Sequence, residues 1–205
     1  MALKLITAPT VEPVSLEEAR LFLRIDSDPG EEDALIASMI TAARQEAEKI
    51  TRRQLITATW ELRLDYFPET IYLPMPPLQS VAPIAPVVIG GVKYLDAAGV
   101  EQTLTENTDY LVDTYSEPGR ITPAYGEVWP PIYPVPNAVR IVYKAGYGDA
   151  ATSVPAAIKN WIKAMVGSLW ENRETAVVTP STLTLVNLGF LDGLLDNYRV
   201  FGVDC

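Results

Sequence analysis

The hydrophobic pattern of the chain changes its period twice, from helical to extended and back to helical. From residue 31 to about residue 53, apolar side chains recur three and four positions apart, as on one face of an α-helix. Trp60, Leu62, Leu64 and Tyr66 then alternate with polar residues, which is typical of a strand buried on one face. After Pro155 the helical period returns. The pattern therefore predicts helices on both sides of a β region.

Local signals mark where the first and last helices begin. Ser15 and Glu18 have the spacing of a capping box, in which each side chain bonds the other residue's amide. Gly146 and Gly148 permit the turns that end a strand, and Pro155 suits the first turn of a helix. These signals predict one helix after Ser15 and another after Pro155.

The β region is predicted to be a small antiparallel sheet or barrel with long arms. Besides the strand at Trp60, extended segments are expected at residues 71–73, 87–95, 110–113 and 139–144, with a hairpin turn at 96–99. Prolines interrupt the sequences between these segments, and a proline in the centre of a sheet breaks its hydrogen-bond ladder. The proline-rich segments are therefore expected along edges or in shaped loops.

The pattern as a whole predicts an α+β fold in which N- and C-terminal helices form one small bundle and an antiparallel β region is inserted between them. The predicted divisions are residues 1–54 for the first helices, 55–150 for the β region with its proline-rich arms, and 151–205 for the last helices and tail. Leucines from residue 188 to 195, followed by 197–199, predict a short helix or docking arm.

Composition places the chain among globular proteins. It has 205 residues, of which 48% are hydrophobic and 20% charged. No run approaches the roughly 20 apolar residues of a membrane span, and no signal peptide is evident, so no membrane association and a cytoplasmic origin are expected. Because Cys205 is the single cysteine, no internal disulfide is expected. The net charge of −10 disfavours general binding of nucleic acid.

The sequence lacks most of the groups that enzymes use. It contains no histidine, which removes the commonest general base and the usual zinc ligand. Phosphate-binding loops and nucleophile elbows are absent, and Gly146-Tyr147-Gly148 is only a fragment of a dinucleotide fingerprint. The acidic stretch at residues 26–33 lacks calcium-loop spacing and is interpreted as a helix cap. No catalytic residue, metal or cofactor is predicted.

Two groups of side chains keep more than one interpretation. The first is acidic and lies on or beside predicted strands: Glu61, Asp65, Asp109 and Asp113. A solvated strand face is favoured over an acid–base pair for glycoside hydrolysis. The second is aromatic: Tyr125, Trp129, Tyr133, Tyr143 and Tyr147. It fits core packing and loop anchoring, a protein contact or a sugar-binding platform, whereas Trp161 and Trp170 are expected in the core.

Basic residues cluster around the end of the long predicted helix: Arg44, Lys49, Arg52 and Arg53. The simplest interpretation is a solvated helix face. The alternative is contact with a neighbouring acidic subunit, so these four residues are the inter-subunit candidates.

Short motifs follow one another along most of the chain: Val14-Ser15-Leu16-Glu17-Glu18-Ala19, Leu23-Arg24, Pro77-Leu78-Gln79-Ser80-Val81, Ala145-Gly146-Tyr147-Gly148, Val154-Pro155 and Glu171-Asn172-Arg173-Glu174. In this order they resemble the head-tail connector (adaptor) proteins of tailed bacteriophages. The resemblance is to the longer branch with a β insertion, which also occurs in phage-like gene transfer particles.

The resemblance implies a structural protein of the virion neck, assembled in the host cytoplasm. Roughly twelve copies would form a ring beneath the portal protein, a closed assembly that needs two complementary patches on each subunit. The ring would offer its lower face to a tail-side stopper or tail-terminator protein, and DNA would pass through it without specific binding. The alternative function is a carbohydrate- or receptor-binding β module on a helical base.

In this family the C-terminal segment reaches toward the portal. Carried onto this chain, the resemblance suggests Leu194, Leu195, Tyr198, Arg199 and Phe201 as portal-docking candidates. Tyrosine and arginine suit interface anchoring because they bury area while making directional hydrogen bonds. The alternative is that this tail packs on its own helical bundle.

Overall fold

The computed structural model describes residues 1–25, 30, 32–81, 91–171 and 189–201. Within them are four α-helices: α1 (Leu16–Leu23), α2 (Asp33–Thr51), α3 (Ala156–Glu171) and α4 (Gly189–Asp196). The same residues contain nine strands: β1 (Ala2–Thr7), β2 (Ala58–Leu64), β3 (Ile71–Tyr72), β4 (Leu78–Ser80), β5 (Gly91–Leu95), β6 (Glu101–Thr103), β7 (Tyr110–Asp113), β8 (Arg120–Pro123) and β9 (Val139–Ala145). Helices with antiparallel sheets confirm the predicted α+β class.

The chain divides into two compact units. A helical unit comprises Val11–Thr51 and Ala150–Arg199, and a β unit comprises Met1–Thr10, Arg52–Asp149 and Val200–Cys205. Because both units draw on separate parts of the chain, neither is a continuous stretch of sequence. None of the helices in the described ranges has the length and apolarity that a membrane crossing requires.

The helical unit is built on the predicted apolar face of α2. Ile36, Ile40, Ala43 and Ala47 are buried along that face, and α2 packs against α1, α3 and α4. Helix α3 contributes its own buried stripe: Ile158, Trp161, Ile162 and Val166. Burying apolar side chains of this size contributes roughly 1.5–3 kcal/mol each. Packing of these two stripes therefore joins helices from distant parts of the sequence.

Helix α1 begins with the predicted capping box. The Ser15 hydroxyl accepts a hydrogen bond from the Glu18 amide at 3.1 Å, and the Glu18 carboxylate accepts one from the Ser15 amide at 3.1 Å. Lys159 of α3 also donates to Glu18, at 3.0 Å. Burial raises the pKa of Glu18, but the bonds from Ser15 and Lys159 outweigh it and lower that pKa overall. Glu18 thus ties the start of α1 to α3.

The main sheet of the β unit has the strand order β1-β2-β9-β5-β6, and β4 pairs with β9 beside this path. Strands β2 and β9 pair over their whole length, from Ala58 opposite Ala145 to Leu64 opposite Val139. One face of these strands carries the core of the unit, where Leu62, Ile141 and Tyr143 are fully buried. The alternation that predicted β2 from sequence therefore identifies the face that packs inward.

A second, three-stranded sheet has the order β3-β8-β7. Its inward face joins the same core through Ile71, Tyr110 and Ile121. Burial raises the pKa of the Tyr110 phenol to about 12, with further contributions from the charges of Glu106 and Asp109. The phenol of Tyr110 therefore stays protonated across the physiological range.

Predicted turns appear where the sequence placed them. In the hairpin between β5 and β6, the Asp96 carboxylate accepts hydrogen bonds from the amides of Ala98 and Val100, and Gly99 has a φ of +79°. After β9, Gly146 adopts a φ of +134° and lies against the backbone of Ile56 and Thr57. A side chain at this position would meet the Thr57 nitrogen at 2.7 Å, so only glycine fits.

The other predicted elements have mixed outcomes. The expected segments at 71–73, 110–113 and 139–144 correspond to β3, β7 and β9, and the short C-terminal helix corresponds to α4. Strands β1, β4, β6 and β8 were not predicted. Tyr66, expected to extend the alternation of β2, lies beyond the strand and is exposed. The acidic residues 26–29 and 31, the strand segment 87–90, the motif residues 172–174 and Cys205 lie outside the described residues.

Candidate interaction surfaces

Arg44 lies inside the helical unit rather than on a solvated face. Its Nε donates to Glu12 at 2.8 Å and its Nη1 to Glu48 at 2.7 Å, and the arginine side chain is only 9% exposed. The guanidinium fork can satisfy two carboxylates at once, which suits a buried position. Arg44 therefore joins the segment before α1 to α2, and its expected position on a solvated face is corrected.

Arg53 is likewise buried and paired, but within the β unit. Its guanidinium forms a short ion pair with Glu117, and it also interacts with the side chain of Tyr147. The bond from Arg53 lowers the pKa of Glu117. Burial alone lowers the pKa of Arg53, but its bonds to Glu117 and Tyr147 raise it overall. The loop that holds Glu117 is therefore anchored to the segment between α2 and β2.

The other two basic candidates are exposed. Lys49 forms an ion pair with Glu46 at 3.1 Å on the surface of α2, which contributes little to stability in solvent. Arg52 follows the end of α2 in the left-handed conformation, with a φ of +56°. Of the four inter-subunit candidates, Lys49 and Arg52 are the cations that a neighbouring molecule can reach.

The portal-docking candidates differ in accessibility. Leu195 is fully buried, so it holds α4 in the helical unit, whereas Leu194 is partly exposed. Tyr198 and Arg199 are half-buried, and Arg199 pairs with Asp196 at 3.2 Å. Phe201 is 79% exposed. An aromatic ring left in water to this extent is available for a partner.

The five loop aromatics do not form one set. Tyr143 is buried and donates a hydrogen bond to the Pro74 carbonyl at 2.9 Å. Trp129 stacks on Phe67, with the ring centroids 4.7 Å apart. Tyr147 contacts Arg53, whereas Tyr125 is fully exposed and Tyr133 partly so. Core packing and loop anchoring account for Tyr143, Trp129 and Tyr147.

The four candidate carboxylates each hold local structure. Glu61 pairs with Arg63 at 2.7 Å, and Asp65 accepts from the Asn137 amide at 2.8 Å. Asp109 accepts from the Thr105 amide at 2.6 Å. Asp113 accepts from Ser116, Tyr115 and Arg120, and these bonds lower its pKa to about 2. Within the described ranges no group of three or more acidic or cysteine side chains is placed to hold a metal ion.

Two exposed apolar surfaces were not identified from the sequence. Phe22 of α1 is half exposed and lines a groove of about 460 Å³ together with Ala164 and Gly167 of α3. The other surface is β1, all six residues of which are exposed. Two sequence features could have indicated these surfaces. They are the adjacent apolar residues Leu21 and Phe22, and the segment from Leu3 to Ile6, which is apolar except for Lys4.

Residues 13–85 match the family model described as "Phage gp6-like head-tail connector protein". This range contains the capping box of α1, all of α2 and strands β2 to β4. A comparison with curated proteins gave no match.

Solved structures match the chain over almost its whole length. A chain in a structure titled "Neck of empty GTA particle computed with C6 symmetry" has 22% identity and a TM-score of 0.77, covering 99% of this chain and 97% of that one. Chains in "Virion of native gene transfer agent (GTA) particle" and "Neck of native GTA particle computed with C12 symmetry" have TM-scores of 0.75 and 0.73, each with 23% identity and the same coverage. These matches show a shared fold that includes both units. The match of residues 13–85 agrees with the resemblance seen in the sequence, since this part of the chain is similar to the phage head-tail connector family.

Proposed function

We propose that the protein is a structural head-tail connector of a phage or gene transfer particle. About twelve copies form a ring beneath the portal, join the capsid to the tail and surround the channel through which DNA leaves. The observation that carries this proposal is the connector-family match of residues 13–85. The C6 and C12 symmetries in the titles of the matching neck structures support a cyclic arrangement.

The side chains of the chain fit a structural role better than a catalytic one. The sequence has no histidine, and each of the four candidate carboxylates is engaged in a hydrogen bond or ion pair that holds a turn or strand. A catalytic carboxylate needs room for a substrate and for the proton that it transfers. We therefore propose that the protein is not an enzyme and that it needs no cofactor.

The partners that we propose are the portal protein above the ring and a stopper or tail-terminator protein below it. For the portal, the docking proposal now centres on Leu194 and Phe201, because their side chains are accessible, with Tyr198 and Arg199 as neighbours in sequence. Leu195 serves as a structural residue in this proposal, since it is fully buried.

Binding to purified portal tests the docking proposal. Phe201→Ala and Leu194→Ala are each expected to weaken portal binding by about fivefold or more, because truncating a buried interface anchor typically costs above about 1 kcal/mol. The matched control is Tyr125→Ala, which removes a fully exposed aromatic ring from the loop after β8. Unchanged affinity in both tail variants would remove the docking assignment.

Inactivating the gene tests the function itself. Heads made without the protein are expected to package DNA but to lack tails, because the surface that receives the tail is missing. The wild-type gene supplied from a plasmid is expected to restore tailed, infectious or transducing particles. Electron microscopy of the mutant preparation gives the readout. Normal tailed particles in the absence of the protein would contradict the proposed function.

A further inference from the structure

The main sheet ends in two edges that no other strand covers among the described residues. Strand β1 pairs only with β2, and β6 pairs only with β5. An edge strand presents a row of unpaired N–H and C=O groups, which is a template for pairing with another chain. Soluble proteins commonly protect such edges with prolines, bulges or inward-pointing charges.

Strand β1 has part of this protection, namely a register shift between Leu5 and Thr7 and the side chain of Lys4. It contains no proline, however, and all six of its residues are exposed. Leu3 is 37% exposed and Leu5 is 40% exposed, although they lie opposite Leu62 and Trp60 on the core-facing side of the sheet. The apolar face of the sheet thus continues beyond the core to an edge where nothing in the described chain buries it.

The two edges carry opposite charges on the face of the sheet that points away from the core. Lys4 lies opposite Glu61 on the face away from the core, and Glu101 of β6 lies on that same face, where it pairs with Lys93 at 3.1 Å. On the core-facing side, the residue of β6 is Gln102, which lies opposite Tyr94. Val100, which immediately precedes β6, is more than half exposed and adds an apolar side chain to this edge. An added β6 would therefore bring the carboxylate of Glu101 to the face that carries Lys4.

Strand direction decides how such a contact is made. All neighbours along β1-β2-β9-β5-β6 are antiparallel, so the first and fifth strands run in the same direction. A neighbouring copy that continues the sheet head to tail therefore places its β6 parallel to β1. This contact joins two different patches of the same chain, which is the requirement for a closed ring.

We propose that in the connector ring the β6 edge of one copy pairs with the β1 edge of the next, so that the sheets of neighbouring subunits are continuous. This inference rests on the proposed function, which supplies the ring. A two-fold contact between two β1 edges would instead form a closed dimer and leave β6 uncovered, so it cannot build a cyclic neck.

Cross-linking between copies tests the pairing in assembled necks. Lys4→Cys and Thr103→Cys are introduced together in a Cys205→Ser chain and treated with a short bis-maleimide. Head-to-tail pairing predicts a ladder of covalent oligomers on a denaturing gel for the double variant and no ladder for either single variant. The control combines Lys4→Cys with Tyr72→Cys, an exposed position on the second sheet, and is expected to give no ladder. Dimers from Lys4→Cys alone would indicate two-fold pairing and overturn the inference.

Charged substitutions on β1 give a second measurement. Leu3→Lys with Leu5→Lys places inward lysines on the edge, which blocks strand addition in natural sheets. The expected result is loss of this chain from the neck while circular dichroism and the thermal melt show a folded subunit. Leu111→Lys on β7 is the matched control, because Leu111 is 43% exposed in the other sheet, and it is expected to leave the ring intact.

The outcomes separate this inference from the function on which it rests. Wild-type necks that contain a ring of this chain but give no ladder in the double-cysteine variant would refute the strand pairing and leave the connector role standing. Wild-type necks without any ring of this chain would refute the connector role itself.

Discussion

At the scale of single residues, burial separates basic side chains that look alike in the sequence. Arg44 and Arg53 are buried, and their carboxylate partners, Glu12 and Glu117, lie 32 and 64 positions away in the sequence. A helical wheel contains no information about partners at such distances, so it assigns these arginines to the solvated face with Lys49. The helical period of a sequence predicts which apolar side chains face the core, but it does not predict which charged side chains are buried by distant partners.

Gly146 tests whether close backbone contact holds the end of β9. Gly146→Ala is expected to lower the free energy of unfolding by about 1–3 kcal/mol, because the new methyl group meets the Ile56 carbonyl carbon at 2.8 Å in a backbone conformation that disfavours side chains. Urea denaturation gives the measurement. The control Gly193→Ala in α4, where a Cβ meets nothing within 4 Å, is expected to stabilise slightly. Equal effects of the two substitutions would contradict this account.

Asp113 tests the turn between β7 and β8 through its pH dependence. Its hydrogen bonds to Ser116 lower its pKa from 3.8 to about 2. A lowered pKa in the folded state means that the carboxylate stabilises the fold above pH 3.8 and that this contribution is lost as the pH falls to about 2. Asp113→Asn is therefore expected to destabilise the protein at pH 7 and to have little effect near pH 2.

Carbon NMR of the Asp113 side chain measures the same property directly. The carboxyl resonance is expected to titrate near pH 2. Serine at position 116 supplies the main bonds, so Ser116→Ala is the matched variant and is expected to move the midpoint upward toward 3.8. A wild-type midpoint close to 3.8 would show that these bonds do not form in solution.

At the scale of elements, long periodic segments were predictable and short strands were not. Helices α2 and α3 carry several turns of consistent apolar spacing, which is enough to identify both their type and their buried face. Strands β4, β6 and β8 have three or four residues, too few for an alternation to be distinguished from chance. Strand β1 was missed for another reason: its apolar residues occur on both faces, so it shows no period of two.

The packing of α3 tests the claim that helices from both ends of the chain share one core. Ile162 is fully buried, and Ile162→Ala is expected to cost about 2–5 kcal/mol because it leaves a cavity. Leu21→Ala on α1 is the control, since Leu21 is 81% exposed and its loss is expected to change stability by about 0.5 kcal/mol or less. Thermal or urea unfolding followed by far-ultraviolet circular dichroism distinguishes the two. Similar effects would mean that α3 is not part of a packed core.

At the scale of the whole molecule, the helical unit forms from two segments separated by most of the β unit. The sequence predicted this arrangement because helical periodicity appears on both sides of the β region. The exposed apolar surfaces could not be predicted from periodicity. Exposed apolar residues such as Leu3 and Phe22 have the chemistry of core residues, and only the folded chain shows that they remain in contact with solvent.

The net charge of −10 gives a prediction for the chain as a whole. The purified chain is expected to bind duplex DNA with a dissociation constant weaker than about 100 μM at physiological salt, because affinity for phosphates comes mainly from clustered cations. Fluorescence anisotropy with a labelled duplex measures this, and a basic DNA-binding protein of similar size serves as the positive control. Submicromolar, salt-sensitive binding would contradict the proposal that DNA passes through the ring without specific binding.

The connector role is tested most directly by electron cryomicroscopy of the neck of purified particles that carry this protein. The account predicts a ring of this chain between the portal and the first tail protein, with the fold described above fitting the density in each subunit. A neck reconstruction in which the portal meets the tail protein without this chain, at a resolution sufficient to trace every subunit, would contradict it.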